Sequence, residues 1–275
     1  MKQIPKTIVL VHDYPSLNGG GVVHLNNDLA KFLHQQGRRV AIVTPDHTTN
    51  LLKLIQESDT ILISISSKLR AIAQQAIAMA RIYHKPYSVW LHTKLPKNYL
   101  HSEHGRKMGL VIADDLCQSF ICVSKNVELD VVTTFGLSPK ITTVYPAVYT
   151  AQRFEFKSSS KCSTDILFAG RLAKEKGADI FIKAFAKLLQ KRPETTATII
   201  GDGEEKKPLV ALATKLGIMR SLRFLPHCER TDLFTHIINC RVFSIASRTE
   251  SFCITLAEAL ALGATTVAPN IGGPA

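Results

Sequence analysis

The chain has 275 residues, a hydrophobic fraction of 45%, and 34 Lys and Arg against 22 Asp and Glu. That length exceeds a typical single domain and the apolar content builds folded cores, which excludes disorder and points to two domains. The net charge of +12 is spread over both halves. It suits anionic ligands or an anionic membrane surface, whereas no RNA-binding aromatic motif or zinc-finger spacing supports nucleic acid as a partner.

The opening M-K-Q-I-P-K-T-I-V-L-V-H-D is not a signal peptide, because its apolar run, Thr7 to Val11, is too short and leads into a loop at Asp13. No run of about 18 apolar residues occurs that would span a membrane. The six cysteines form no C-x-x-C pair and read as free thiols of a reducing cytoplasm. A cytoplasmic location, with peripheral contact to the inner membrane face, is the expectation.

Thr7 to Val11 reads as a buried strand, followed by the loop D-Y-P-S-L-N-G-G-G. A helix is predicted from about Val22 to Gln36, with Val22, Leu25, Leu29, Phe32 and Leu33 on one face and a stop at Gly37. Strands follow at Arg39–Thr44, Thr60–Ile65 and Tyr87–Leu91, with an Ala- and Ile-rich helix over Ser67–His84. Phe120–Val123 and Ile141–Val144 are strands flanking a helix at Lys125–Phe135. The polar, aperiodic S-S-S-K-C-S-T run marks a linker. A second series begins after it, with strands at Asp165–Phe168, Thr195–Ile200, Leu222–Leu225, Arg241–Ala246 and Thr265–Ala268. Its first helix, after Gly177, puts Phe181, Ala184, Phe185 and Leu188 on one stripe; its last begins near Phe252, with Ile254, Leu256, Ala257, Leu260 and Ala261 apolar and a stop at Gly263. Alternating strands and helices predict α/β architecture with parallel sheets covered on both faces. The expected division is 1–155, a linker at 156–164, and 165–275.

Chemistry-bearing residues gather where strands end, the edge at which open α/β sheets bind ligands. Glu250 sits in the loop before the last helix and Glu258 one to two turns into it. Glu250 also suits a helix N-terminus without any ligand. Arg171 and Lys176, in F-A-G-R-L-A-K-E-K-G, emerge at the same edge; a guanidinium fork and an ammonium point charge together suit a diphosphate. G-D-G at Gly201, Asp202 and Gly203 is a strand-to-helix turn, with Lys206 where a dinucleotide fingerprint would have its third glycine. Gly19, Gly20 and Gly21 lie between the first strand and first helix, either as a flexible turn or as a close approach to phosphate. His92 ends a strand, either as a satisfied polar residue or as a ligand contact. Lys94, Lys97, His101, His104, Arg106 and Lys107 form a basic stretch that is either a solvated face or a contact for anions. A metal is not expected: His101 and His104 lack further ligands, no Asp-x-Asp occurs, and Asp114-Asp115 are adjacent and read as helical.

The G-R-L-x-x-x-K-G segment, the E-x7-E pair from Glu250 to Glu258 and the following G-G resemble the C-terminal domain of retaining, GT-B-type nucleotide-sugar glycosyltransferases, group 1 or family 4 in type. The N-terminal blocks fit as well, so the resemblance spans nearly the whole chain. It implies a GT-B fold of two Rossmann-type domains, the first on the acceptor side and the second binding the nucleotide sugar (a UDP- or GDP-sugar), with chemistry in a cleft. It implies that Arg171 and Lys176 hold the donor diphosphate in place of a metal, with Gly20 and Gly21 beside it, and that Gly201, Asp202 and Gly203 lie near the nucleotide. Glu258 binds ribose hydroxyls, Glu250 stands beside the transferred sugar, and His92 hydrogen-bonds that sugar. Ser251, Phe252 and Cys253 form the loop over sugar and phosphate; Ser251 and Cys253 depart from the glycines common there. The acceptor would be a glycan or a lipid-linked glycan, the reaction would serve polysaccharide or glycolipid synthesis, and no cofactor is implied. Since the family has further strands and helices after this glycine pair, the resemblance implies a second domain cut short and a chain inactive by itself. Other readings are a non-catalytic sugar-nucleotide-binding fragment and a dinucleotide-dependent oxidoreductase, the second disfavoured by the missing fingerprint.

Overall fold

The computed structural model describes residues 5–14, 20–48, 50–136, 138–148 and 163–274. Gly19 and most of the expected linker, through residue 162, lie outside them. Thr164 already belongs to a strand and Ser163 N–H donates to Asn239 O at 2.8 Å, so both are tied to the second unit. The chain forms two compact units, Met1–Ala147 and Val148–Ala275.

The first unit runs β1 (Thr7–His12), α1 (Gly20–Gln35), β2 (Arg39–Val43), α2 (Leu51–Glu57), β3 (Thr60–Ile65), α3 (Ala71–Ile82), β4 (Tyr87–Leu91), α4 (Glu103–Ala113), β5 (Cys117–Cys122), α5 (Lys125–Phe135) and β6 (Ile141–Thr143). Its sheet has the order β2-β1-β3-β4-β5-β6 and is parallel throughout. Ile8 to Val11 are buried without alternation, as a parallel strand covered on both faces requires. Ser102 and Ser124 start α4 and α5 by accepting from the backbone N–H groups of Gly105 and Val127, which satisfies helix-end donors.

The second unit runs β7 (Thr164–Ala169), α6 (Ala178–Leu189), β8 (Ala197–Ile200), α7 (Lys206–Lys215), β9 (Leu222–Leu225), α8 (Arg230–Ile238), β10 (Cys240–Ser244), α9 (Ile254–Ala261) and β11 (Thr266–Val267). Its sheet, β11-β10-β7-β8-β9, is also parallel. Successive residues of β7 serve opposite cores. Phe168 packs with Phe181, Phe185 and Ile199 among α6 and α7. Leu167 packs with Phe234, Phe243, Leu256 and Ala259 among α8 and α9.

Several expectations shift for local reasons. The helix expected from Ser67 begins at Ala71, because the preceding N–H groups are taken by side chains: Ser67 N–H donates to Thr93 Oγ1 at 2.7 Å and Lys68 N–H to Ser66 Oγ at 3.2 Å. β5 starts at Cys117 rather than Phe120, since Cys117 pairs with Tyr87 before a register shift. The buried stripe of α1 is Val23, Leu25, Asn26 and Ala30, and Phe32 is exposed, because the helix turns polar Asn26 toward β3. In α6, Ile182 is buried and Ala184 is exposed. In α9, Leu256, Glu258 and Ala259 face inward while Leu260 and Ala261 are exposed, a rotation that brings Glu258 under α8. Asp114 and Asp115 are not helical; Asp114 closes α4 and accepts from Arg81 Nε at 2.7 Å and Tyr87 Oη at 2.8 Å.

Candidate functional site

Three loops at the C-terminal edge of the second sheet are sewn together by main-chain contacts. After β7, Leu172 N–H donates to Asp202 O at 2.8 Å and Leu172 O accepts from Glu205 N–H at 2.9 Å, joining the loops that follow β7 and β8. A Cβ on Gly201 would stand 2.0 Å from Gly170 O, and one on Gly203 2.4 Å from Leu172 O. Only glycine permits that approach. The Asp202 carboxylate accepts from His227 N–H at 2.8 Å and from Lys206 Nζ. Lys206 first, then that N–H, hold its pKa below the ordinary carboxylate value. Gly201, Asp202 and Gly203 therefore build the loop scaffold.

The loop after β10 is fastened to the loop after β7. Gly177, at φ 69°, presses on Ala246, where a Cβ would meet the carbonyl oxygen at 1.9 Å. Arg248 grips Asp179 through its two terminal guanidinium nitrogens, at 2.7 and 2.8 Å, and donates to Lys174 O at 2.8 Å. This bidentate pair lowers Asp179 to about 2. Arg248 lies inside the motif stretch but shows no signal by spacing; its partner is 69 residues away.

Within that frame Lys176 Nζ donates to Glu250 Oε1 at 2.7 Å, and Ser247 Oγ donates to the same oxygen at 2.8 Å. Glu250 is buried and Lys176 is partly exposed. The Gly272–Gly273 pair packs on the backbone of this loop: a Cβ at 272 would lie 1.9 Å from Glu250 O, and one at 273 would lie 2.2 Å from Phe252 Cα. Cys253 adopts φ 73°, a left-handed conformation that favours glycine. Burial, and then the adjacent Glu250 carboxylate, push its thiol up to about 12. Ser251 and Phe252 are half-buried between these points.

Glu258, at the fifth position of α9, is buried and accepts from Arg230 Nε at 2.7 Å; the Arg230 guanidinium lies 5.3 Å over the Phe234 ring. Arg230 had no motif to mark it. Arg171 forms an ion pair with Glu175 in its own loop. Lys176 and Glu250 are thus brought together directly, while Arg171 and Glu258 each have a separate ionic partner. The edge offers charged hydrogen-bonding groups above a rigid main-chain frame.

In the first unit, His92 follows β4 and is buried. Its ring lies 4.6 Å from that of Trp90, and Nε2 lies 2.7 Å from Ser64 Oγ. Burial pushes its pKa down to about 3. His12, Asp13 and Asn26 are also buried at this sheet edge. Sequence reading missed them, because His12 and Asp13 lie at the end of β1 while Asn26 comes from α1, and no local spacing joins the two. Gly20 begins α1 at φ 52° in open space, and Gly21 is exposed. In the basic stretch, Lys107 pairs with Glu103 at 2.6 Å and Arg106 donates to His101 O at 2.7 Å. Among the described residues no three His, Cys, Asp or Glu side chains cluster to hold a metal, and no helix is long and apolar enough to cross a membrane.

Residues 151–275 match the family described as glycosyl transferases group 1. Glycogen synthase of Mycobacterium tuberculosis is 29% identical over 216 residues, 74% of this chain and 50% of that protein. Human phosphatidylinositol N-acetylglucosaminyltransferase is matched through one of its subunits, 24% identical over 97% of this chain and 62% of its own length. The chain thus spans about half of the curated relatives it matches. Among solved structures, Anabaena Alr3699/HepE in complex with UDP and glucose superposes with a TM-score of 0.73 at 20% identity, covering 97% of this chain and 81% of that one. WaaG, a glycosyltransferase involved in lipopolysaccharide biosynthesis, gives a TM-score of 0.69 at 16% identity, covering 98% and 82%. These likenesses give the chain the fold of GT-B glycosyltransferases.

Proposed function

We propose that this chain, whose second half matches the glycosyl transferases group 1 family, carries the donor site of a retaining glycosyltransferase that uses a nucleoside diphosphate sugar. The observation that carries the reading is the 2.7 Å pair of Lys176 and Glu250, set at the C-terminal edge of a parallel sheet on loops locked by glycines. The solved relative Alr3699/HepE binds UDP and glucose, which supports UDP as the first nucleotide to test.

In this reading Arg171 and Lys176 take the diphosphate, exchanging their carboxylate partners for phosphate oxygens. Glu258 takes the ribose hydroxyls, beside Arg230. Glu250 orients the sugar, and the backbone N–H groups of Ser251, Phe252 and Cys253 serve sugar and phosphate. The bond from the sugar's anomeric carbon to the leaving phosphate oxygen breaks as that carbon bonds the acceptor oxygen on the same face. The acceptor's proton passes to the departing diphosphate. Negative charge grows on the diphosphate as the bond breaks, so fixed cations stabilise the transition state, and no metal is required. His92 is a further sugar contact, the first unit recognises a glycan or lipid-linked glycan acceptor, and the start of α1 at Gly20 and Gly21 is suited to phosphate.

A peripheral, cytoplasmic-side membrane contact belongs to the same proposal. Arg81, Lys107 and Leu110 line one groove of the first unit with Leu69 and Ile77; Ile82 is exposed next to Arg81 in the chain, and Leu100 and Leu110 are exposed near Lys97, His101 and Arg106. Exposed apolar residues with cations suit anionic headgroups.

Calorimetry of the chain with UDP, GDP, their sugars and NAD, followed by a transfer assay, tests the reading. Binding confined to nucleoside diphosphates and their sugars is expected. Binding of NAD alone would replace it with the oxidoreductase reading.

A further inference from the structure

Three buried side chains meet at the C-terminal end of β4. Asn26 of α1 donates through Nδ2 to Ser64 Oγ on β3 at 3.0 Å, and Ser64 Oγ lies 2.7 Å from His92 Nε2. All three residues are nine-tenths or more buried. A serine hydroxyl carries one proton and accepts through its lone pairs. With the Asn26 amide donating into the oxygen, His92 Nε2 is the one acceptor within reach of the hydroxyl among the described residues, and the hydroxyl hydrogen is directed at it. Nε2 is then the acceptor, and the one N–H of a neutral imidazole sits on Nδ1. Burial, and then His12, keep the ring neutral. The Trp90 ring, tilted 48° against it, limits its rotation.

We propose that Ser64 and Asn26 are positioning residues that fix His92 as the Nδ1–H tautomer, so that His92 offers a hydrogen-bond donor to whatever it contacts. The free side chain favours the opposite tautomer, so the chain Asn26–Ser64–His92 imposes a direction that the imidazole would not take alone. The catalytic consequence rests on the reading of His92 as a sugar contact. The sugar must then present a hydroxyl or carbonyl oxygen with a free lone pair at this point, and a protonated amine is excluded there.

Imidazole nitrogen NMR of the histidine-labelled chain tests the proposal, with His92 identified by its loss in His92→Gln. Wild type is expected to show Nδ1 protonated and Nε2 bare at neutral pH. Ser64→Ala should move His92 toward Nε2–H, and Ser64→Thr, which keeps the hydroxyl, should restore Nδ1–H. Asn26→Asp is the second probe: an acceptor-only carboxylate reverses the hydroxyl and drives His92 to Nε2–H. Unchanged Trp90 emission shows that each variant is folded. A wild-type Nε2–H signal, or a Ser64→Ala spectrum identical to wild type, would overturn the assignment. In transfer assays Ser64→Ala should lower kcat about tenfold, the scale of one lost hydrogen bond. Full transfer by His92→Gln would remove the sugar-contact role while leaving the tautomer result standing on its own.

Discussion

Lys176 and Glu250 hold each other at 2.7 Å across 74 residues of sequence, one on the loop after β7 and the other on the loop after β10. The pair joins a group suited to phosphate with a group suited to a sugar, and Ser247 steadies the carboxylate by donating to the same oxygen at 2.8 Å. In the proposed function its two members have different roles, so substitutions should separate them. Lys176→Ala should weaken nucleoside diphosphate binding about tenfold to a hundredfold, since a hydrogen bond to a charged group is worth about 1.5–3 kcal/mol. Glu250→Gln should leave nucleotide affinity within a few-fold and cut turnover. Equal losses of binding in both variants by calorimetry would mean that the pair only props the two loops together.

Arg230 and Glu258 test the nucleotide end. Glu258→Ala should chiefly raise the donor concentration needed for half-saturation. Arg230→Ala removes the guanidinium from a buried carboxylate and should lower the stability of the second unit by about 1.5–3 kcal/mol, besides its effect on the donor. Urea unfolding with and without UDP separates the two effects. An Arg230→Ala protein as stable as wild type would show that other contacts of Glu258 carry the load.

Two glycines with nearly the same backbone angle give a controlled comparison. Gly177 has φ 69° and faces Ala246 O, while Gly217 has φ 70° with open space around it. Gly217→Ala should cost only the left-handed penalty of about 1–2 kcal/mol. Gly177→Ala carries the same penalty and a backbone clash at 1.9 Å, so it should lose distinctly more stability and separate the loops that present Lys176 and Glu250. Equal melting temperatures for the two variants would contradict the close approach.

The strands were legible because buried parallel strands write themselves as short apolar runs; Thr60–Ile65, Tyr87–Leu91 and Leu222–Leu225 fall at the expected residues. Helix faces were less legible. A stripe of small and apolar residues in α9 fits two rotations, and only the Arg230–Glu258 pair shows which one is taken. The ionic partners were illegible for a different reason. Arg248 meets Asp179 and Lys176 meets Glu250 because β7 and β10 are neighbours in the sheet, and that order is not written in local spacing. Asn26, Ser64 and His92 converge in the same way from α1, β3 and the position just after β4.

Vesicle binding tests the membrane part of the proposal. Each basic residue near an anionic surface contributes about 1 kcal/mol, so Lys97, Arg106 and Lys107 together should give salt-sensitive cosedimentation with anionic vesicles and little with neutral ones. Replacing Leu110, which is 65% exposed, by Glu should weaken it further. Equal binding to both vesicle types, or to neither, would point to an acceptor met in solution.

Acid titration should expose the buried groups of the first unit. His92 is pushed down to about 3 by burial, so it stays neutral in the fold while the unfolded chain protonates it below about 6.5; burial lowers His12 too, so it binds its proton less readily in the fold than in the unfolded chain. Each therefore takes stability away as pH falls below 6.5, by up to about 1.4 kcal/mol per pH unit for one proton. Asp13 works in the opposite sense. Burial raises it to about 7 against lesser opposition from Arg70, so between pH 3.8 and 7 the fold holds a proton that the unfolded chain has lost, and stability falls as pH rises through that window. In wild type Asp13 offsets much of one histidine's effect between pH 4 and 6.5. Asp13→Asn removes the offset. The variant should therefore lose stability on acidification more steeply than wild type, by up to about 1.4 kcal/mol per pH unit, and should gain on wild type as pH rises toward 7. Trp90 is the chain's single tryptophan and touches His92, so urea titrations followed by its emission report on this unit alone. Parallel stability curves for wild type and Asp13→Asn from pH 4 to 8 would show that Asp13 is ionised in the fold and that the buried edge of the first sheet carries a charge.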